Sequence, residues 1–131
     1  MFRFKALRSV FAGLAITGLV FSGSVLAKGA DPTGGISAIT VAELPAQGKQ
    51  IYALIHRGGP FAYEKDGTVF GNRERLLPLE KRGFYHEYTV STPGAKNRGA
   101  KRIVCGGQAK AAPGICYYTA DHYASFRKIV P

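Results

Sequence analysis

The spacing of apolar positions changes character twice along the chain. Val10 to Phe21 is an unbroken run without a charged residue. Between Leu44 and Ile55 the pattern is helical instead: Leu44, Ile51, Leu54 and Ile55 fall on one stripe. Pro45 suits a first turn and Gly58 the position just past the last one, so the spacing predicts a helix over Pro45–Arg57, with Gly48 as a weak point inside it. From Gly59 onward, short runs alternate with turn signals. Asp66-Gly67 predicts a hairpin-type turn, and Phe84–Val90, aromatic and β-branched, predicts a strand ended by Thr92-Pro93-Gly94. Gly99–Cys105, Cys116–Thr119 and Tyr123–Val130 predict three more strands. One helix followed by a run of strands predicts an α+β domain, in which one main N-terminal helix packs on an antiparallel β-sheet.

The first apolar run has a different meaning. Arg3, Lys5 and Arg8 precede it, and the small-residue pattern Val25-Leu26-Ala27 follows. That order predicts a signal peptide over residues 1–27 and hence a secreted protein, extracellular or periplasmic. The run is shorter than the roughly 20 residues needed to span a bilayer. Lys28–Gly35, rich in Gly, Pro and Asp, reads as a flexible mature N-terminus. Residues 28–43 are then the flexible mature N-terminus and lead-in, and 44–131 the folded domain.

Of 18 Lys and Arg, three lie in the leader, which leaves 15 against 8 Asp and Glu. Such an excess favours anionic partners (nucleic acid, acidic lipid or acidic polysaccharide) without choosing among them. All seven Tyr follow the leader, so the domain has material for a core. These features exclude an integral membrane protein, a coiled coil and a repeat array. Cys105 and Cys116 in an exported chain predict a disulfide closing a Gly- and Ala-rich loop; they lack the paired short spacing of a zinc site, and no metal is expected.

Chemistry enters through alternation. On a strand over 84–90, Phe84, His86, Tyr88 and Val90 share one face, and Tyr85, Glu87 and Thr89 the other. Arg98, Ala100, Arg102 and Val104 would lie together on the next strand. A hairpin turning near Gly94 and Ala95 sets Glu87 opposite Arg102, with Arg98 nearer the tip. Asp121-His122-Tyr123 falls in the turn between the last two strands, where an imidazole would project over the same surface. A carboxylate, an imidazole and two guanidinium groups suit cleavage of an RNA phosphodiester: a base for the 2′ hydroxyl, an acid for the departing 5′ oxygen, and cations for the charged phosphorus centre. The plainer alternative is a surface ion pair beside a solvated charge run, Lys96 to Arg102. His56 is expected in the last helical turn, where a cation meets the carbonyl end, and His86 on the face opposite Glu87.

Longer stretches resemble a known family. Gly59-Pro60-Phe61-Ala62-Tyr63, Asp66 to Glu74, Leu77-Pro78, Phe84 to Val90, Thr92 to Ala95, Arg98-Gly99, Arg102-Ile103 and Thr119 to Tyr123 are similar, in order and spacing, to the bacterial guanyl-preferring ribonucleases, the barnase and ribonuclease Sa type. The resemblance covers nearly all of Leu44 to Ile129. It implies the microbial ribonuclease fold over 44–131. It also implies a metal-independent endoribonuclease that cuts single-stranded RNA 3′ to guanosine through a 2′,3′-cyclic phosphate, with no cofactor. Glu87 matches the family's general base and His122 its general acid. Arg98 and Arg102 match its phosphate-binding arginines, and Tyr123 the tyrosine that helps hold the phosphate. Phe70–Glu74 matches the guanine-binding loop: Phe70 stacks on the base, main-chain N–H groups around Asn72 and Arg73 meet its acceptors, and Glu74 takes its two N–H donors. Gly71 departs from the pattern where the family often has a polar side chain.

The Cys105–Cys116 loop is an added excursion expected beside the cleft, with Lys110 keeping it soluble. The resemblance further implies a monomer that does not engage membranes, blocked by an acidic barstar-like inhibitor protein. Two alternatives stay open: a non-catalytic RNA-binding module on the same scaffold, and use of the same activity as an antibacterial toxin. A membrane-active basic protein lacks the helix, at once basic and amphipathic, that it would need.

Overall fold

The structure, a computed structural model, describes residues 35–131 and, upstream of these, Gly13 alone. The rest of the expected signal peptide and residues 28–34 lie outside the described residues. The chain forms strand β1 (Ser37–Thr40), a 3-10 turn (Val41–Glu43), helix α1 (Ala46–Arg57), and strands β2 (Thr68–Val69), β3 (Tyr85–Thr89), β4 (Arg102–Gly106), β5 (Ile115–Thr119) and β6 (Arg127–Val130). The six strands make one sheet in the order β1-β6-β5-β4-β3-β2. Every pairing is antiparallel except β1 with β6, so the sheet is mixed rather than wholly antiparallel. No helix among the described residues is long and apolar enough to cross a membrane.

The sheet therefore starts at Ser37, inside the lead-in expected to precede the folded domain at Leu44. Ile39 is the reason: it is buried in the core, and β1 pairs with β6 over Ser37–Thr40. Thr40 then closes a capping box, accepting from Glu43 N (3.3 Å) while its own N–H donates to Glu43 Oε2 (2.8 Å). The Thr40 N–H and hydroxyl, both donating to Glu43 Oε2, hold the Glu43 carboxyl below its usual pKa.

Helix α1 ends where expected, with Gly58 closing the last turn at φ 81°, but begins one residue later, at Ala46, with Pro45 just outside the first turn. Gly48, the apparent weak point, is buried against Leu44 and Pro45, where a Cβ would sit 3.4–3.5 Å from both residues. At the C-terminal end His56 Nδ1 lies 2.9 Å from the Tyr52 carbonyl oxygen.

The helix covers one face of the sheet. Leu44 and Ile55 pack there with Tyr88, Val90, Ile103, Cys105, Cys116, Tyr118 and Ile129. On the opposite face a smaller cluster forms from Leu77, Tyr85, Val104, Tyr117 and Phe126. His86 and Glu87 thus point to opposite sides as alternation requires, but Phe84 joins the second cluster, because β3 begins only at Tyr85 and Phe84 escapes its period. Gly106 makes this possible: a Cβ there would collide with the Phe84 ring.

Three further expectations are corrected. Asp66-Gly67 is a turn, but it feeds the two-residue β2 rather than joining two strands; its Asp66 carboxylate ties the turn to β3 by accepting from Tyr63 N (3.2 Å) and Thr89 N (2.7 Å). The last strand begins at Arg127, not Tyr123, because the chain first makes a tight turn. And β3 pairs with β4 as Glu87↔Val104 and Thr89↔Arg102. The loop centre falls between Ala95 and Lys96, one residue later than expected. In an antiparallel pair that moves the register by two and preserves the faces.

Cys105 and Cys116 are directly opposed on β4 and β5, Cα–Cα 4.1 Å, and form the expected disulfide. The loop it closes lies on the helix side, not beside the cleft. Ala111 approaches Gly58, and Lys110 Nζ lies about 4.0 Å from where a Gly67 Cβ would be. The Lys110 charge adds to burial in lowering the pKa of His86.

Ile103 is fully buried between the sheet and the helix. Ile103→Ala is expected to lower unfolding free energy by about 2–5 kcal/mol, read from denaturant titration. Gly106→Ala should also destabilise, through displacement of Phe84 rather than loss of buried area.

Candidate active site

Strand alternation puts Glu87 on the face that the helix leaves uncovered, and three neighbours set its position. Tyr123 Oη donates to Glu87 Oε2 at 2.9 Å, and Arg98 Nη2 stands 3.6 Å from Oε1. Thr89, two residues along the same face, accepts from Arg98 Nε (3.0 Å) and Nη2 (2.9 Å) and so aims the guanidinium. Both members of the ion pair are largely shielded, with 26% of the Arg98 side chain and 15% of the Glu87 side chain exposed. Burial, then the Glu87 contact, raises the Tyr123 pKa, so the phenol stays protonated and donating.

The two arginines hold unequal positions. Arg98 is not on a strand: it reaches in from the loop before β4, whose Gly99 takes φ 65° against Thr92. Arg102 opens β4 and is only 2% exposed. Its Nη1 donates to the carbonyls of Gly99 (3.0 Å) and Lys101 (2.8 Å), while its Nε has no hydrogen-bond partner. Arg102 therefore braces the loop that carries Arg98, and its charge reaches Tyr123, whose pKa it lowers against the effect of burial.

His122 projects from the turn between β5 and β6 and is exposed. Both His122 (φ 53°) and Tyr123 (φ 71°) adopt left-handed backbone, which non-glycine residues rarely do. A set of side chains that strand reasoning missed holds them there. Asp121 accepts from Ser125 N (2.9 Å), Ser125 Oγ (2.6 Å) and Thr119 Oγ1 (2.9 Å), and Thr119 Oγ1 in turn accepts from Tyr123 N (3.2 Å). His122 N donates to the Ala100 carbonyl at 3.0 Å, which joins the turn to the arginine loop. The bonds from Ser125 and Thr119 keep the Asp121 carboxyl below the usual carboxylate range. The available signal was the sequence Thr119-Ala-Asp121 with Ser125 four positions on, a local pattern of side chains that bond their own backbone.

Glu87 and His122 line one cavity of about 480 Å³, together with Phe70, Asn72, Arg73, Glu74 and Tyr123. Val69, Leu76, Ala124 and Phe126, not singled out by sequence, complete its apolar wall. Phe70 stacks on Tyr123, with ring centres 5.0 Å apart and planes at 29°. The Asn72 side chain faces its own loop, donating to the Leu77 carbonyl (3.0 Å) and accepting from Leu77 N (3.1 Å). That bracing, with Asn72 at φ 48°, fixes the main chain from Gly71 to Arg75. No group of three or more metal-binding side chains occurs among the described residues.

A protein-family model described as ribonuclease matches residues 27–130. The chain belongs to the ribonuclease family. It is 51% identical over 94 residues to guanyl-specific ribonuclease Sa3 of Kitasatospora aureofaciens, covering 72% of this chain and 64% of that protein. It is 48% identical to guanyl-specific ribonuclease St of Saccharopolyspora erythraea over 72% of this chain and 89% of the relative. Against guanyl-specific ribonuclease Sa of Kitasatospora aureofaciens the identity is 46%, over 70% of this chain and 91% of that one. Ribonuclease Sa2, solved in complexes with mononucleotides, superposes with a TM-score of 0.68 at 44% identity, covering 73% of this chain and 95% of the other. A structure of the same enzyme with guanosine-2′-cyclophosphate gives a TM-score of 0.66 over 73% of this chain and 97% of the other, also at 44% identity. The α+β architecture of this ribonuclease is thus that of the Sa type.

The Asp121 clasp sets a pH dependence. A carboxyl whose folded pKa is depressed contributes stability that is complete above its unfolded value, near 3.8, and lost as pH falls through the lower folded value. The stability gap between wild type and Asp121→Asn, followed by thermal unfolding, is therefore expected to be full at neutral pH and to narrow as pH falls below about 3.8.

Proposed function

We propose that this ribonuclease is an endonuclease that cleaves single-stranded RNA on the 3′ side of guanosine by internal transphosphorylation. The observation that carries the reading is the shared cavity: Glu87 and His122 open onto the same hollow as the Phe70–Glu74 loop. Support comes also from the guanyl-specific relatives and from ribonuclease Sa2, which was solved with guanosine-2′-cyclophosphate and with 3′-GMP.

Guanine lies against Phe70, with the Glu74 carboxylate accepting its N1 and N2 hydrogens and the braced main chain around Asn72 and Arg73 donating to its other edge. A carboxylate that demands two donors discriminates against adenine, which lacks that pair. This places the ribose over Glu87, which takes the 2′ hydroxyl proton. The freed oxygen attacks phosphorus and closes the 2′,3′-cyclic phosphate, the bond to the 5′ oxygen breaks, and His122 delivers a proton to that leaving oxygen. Arg98 meets the charge that builds on the phosphoryl oxygens, and Arg102 adds a fixed positive field from below. Tyr123 holds Glu87 in the ground state and is placed to donate to a phosphoryl oxygen as the carboxylate gains its proton. Hydrolysis of the cyclic product runs the same acid and base in reverse. None of these steps calls for a metal or cofactor.

The same reading includes export, from the leader pattern at residues 1–27, action as a monomer, and inhibition by an acidic barstar-like protein. The excess of basic residues suits an acidic inhibitor, since complementary charge speeds association; barnase and its inhibitor are the standard illustration.

Glu87→Gln and His122→Ala are each expected to lower kcat by about 10²- to 10⁴-fold on a guanosine-containing dinucleotide with chelator present. The wild-type rate should rise and then fall with pH, because one group acts ionised and the other protonated. Cleavage that survives both substitutions, or that follows adenosine as readily as guanosine, would overturn the assignment.

A further inference from the structure

A second concavity, of about 590 Å³, lies beside the candidate active site. The two share a wall, the Val69–Arg73 segment, whose Gly71 carries no side chain to separate them. The second hollow contains none of Glu87, Arg98, Arg102 or His122. Its far wall is the turn Glu80–Gly83, closed by Phe84 N donating to the Lys81 carbonyl at 3.1 Å. Buried Tyr85 forms the floor; its phenol donates to the Pro78 carbonyl (2.6 Å), and burial, with Tyr117 and Glu80 nearby, pushes its pKa up to about 12.

Charge is what distinguishes this hollow. Arg73, Lys81 and Arg82 surround it against a single acid, Glu80, and all four are exposed. The one ion pair among the described residues is Arg98–Glu87, so none of these three cations is neutralised by a carboxylate within 4.0 Å. Cations gathered around a concavity repel one another and attract an anion.

Resting on the reading above, we infer that this hollow receives the nucleotide on the 5′ side of the guanosine, its phosphate held by Lys81 and Arg82. The direction follows from the chemistry. The leaving nucleoside must depart past His122, which protonates its 5′ oxygen. The second hollow lies beyond the base-holding loop and away from every group that touches the scissile phosphate. What remains for it is the upstream strand. The ligand class is a ribonucleotide phosphodiester, recognised by charge and without demand for a particular base.

The test compares kcat/KM for the dinucleotide GpC, the 5′-extended ApGpC and the 3′-extended GpCpA, in wild type and in Lys81→Ser/Arg82→Ser. Both replaced side chains are exposed and only the Lys81 main chain serves the turn. Wild type is expected to favour ApGpC over GpC by about tenfold at low salt, with a steeper salt dependence. The double variant should bring that ratio close to one and leave GpC and GpCpA unchanged. An ApGpC preference equal in the two proteins, no such preference in wild type, or a loss confined to GpCpA overturns the subsite. Failure of wild type to cut GpC at all would overturn the ribonuclease reading itself, and the subsite with it.

Discussion

A single helix can cover only one side of a sheet, and the site depends on that asymmetry. Helix α1 buries the face carrying Tyr88, Ile103 and Tyr118, which leaves Glu87, Thr89, Arg102 and Thr119 on the other face of the same strands. There the smaller cluster around Val104 and Tyr117 fills only part of the surface. The remainder stays open at one end, between the Phe70–Glu74 loop and the β5–β6 turn. Glu87 and Arg102 thus ride on strands whose reverse side is locked into the main core. Rigidity of this kind lets a carboxylate keep its place beside a guanidinium without spending stability to order it during the reaction.

Hydrogen bonding organises the open face in two tiers. Thr89 and Thr119 occupy adjacent edges of the Arg102 position, each directly opposite it across a strand pair. Thr89 orients Arg98, and Thr119 anchors the turn that presents His122 and Tyr123. Tyr123 then returns to Glu87, which pairs with Arg98, so the turn that carries His122 is tied to both through its neighbour Tyr123. Neither threonine need touch substrate, yet both are almost completely buried, and a buried hydroxyl is retained only where it is bonded.

Much of this was legible in the residues. Period-two alternation placed Glu87 opposite in facing to His86, and the helix bounds followed from Pro45, Gly58 and the stripe between them. Resemblance brought together His122, Tyr123 and the Phe70–Glu74 loop, which lie far apart in sequence. What alternation could not supply was register: the loop between β3 and β4 contains three glycine or proline positions, and its centre cannot be located to one residue from composition. Nor did pattern reveal β1, whose four residues are too short to announce a period beside a Gly-rich stretch. The Asp121–Thr119–Ser125 clasp escaped because polar residues in a turn read alike whether they face water or bind their own backbone. Phe84 broke the strand pattern for a similarly local reason, the space left by Gly106.

The Cys105–Cys116 bridge acts on motion as well as on stability. Its two strands carry, three residues away in each direction, Arg102 and Thr119. A slip along the β4–β5 seam by one pleat would slide one past the other by about 6–7 Å. A covalent rung between opposed residues forbids that shear while leaving the strands free to twist and rock. The bridge thus fixes the register in which buried Arg102 stands opposite Thr119, the residue that anchors the turn carrying His122.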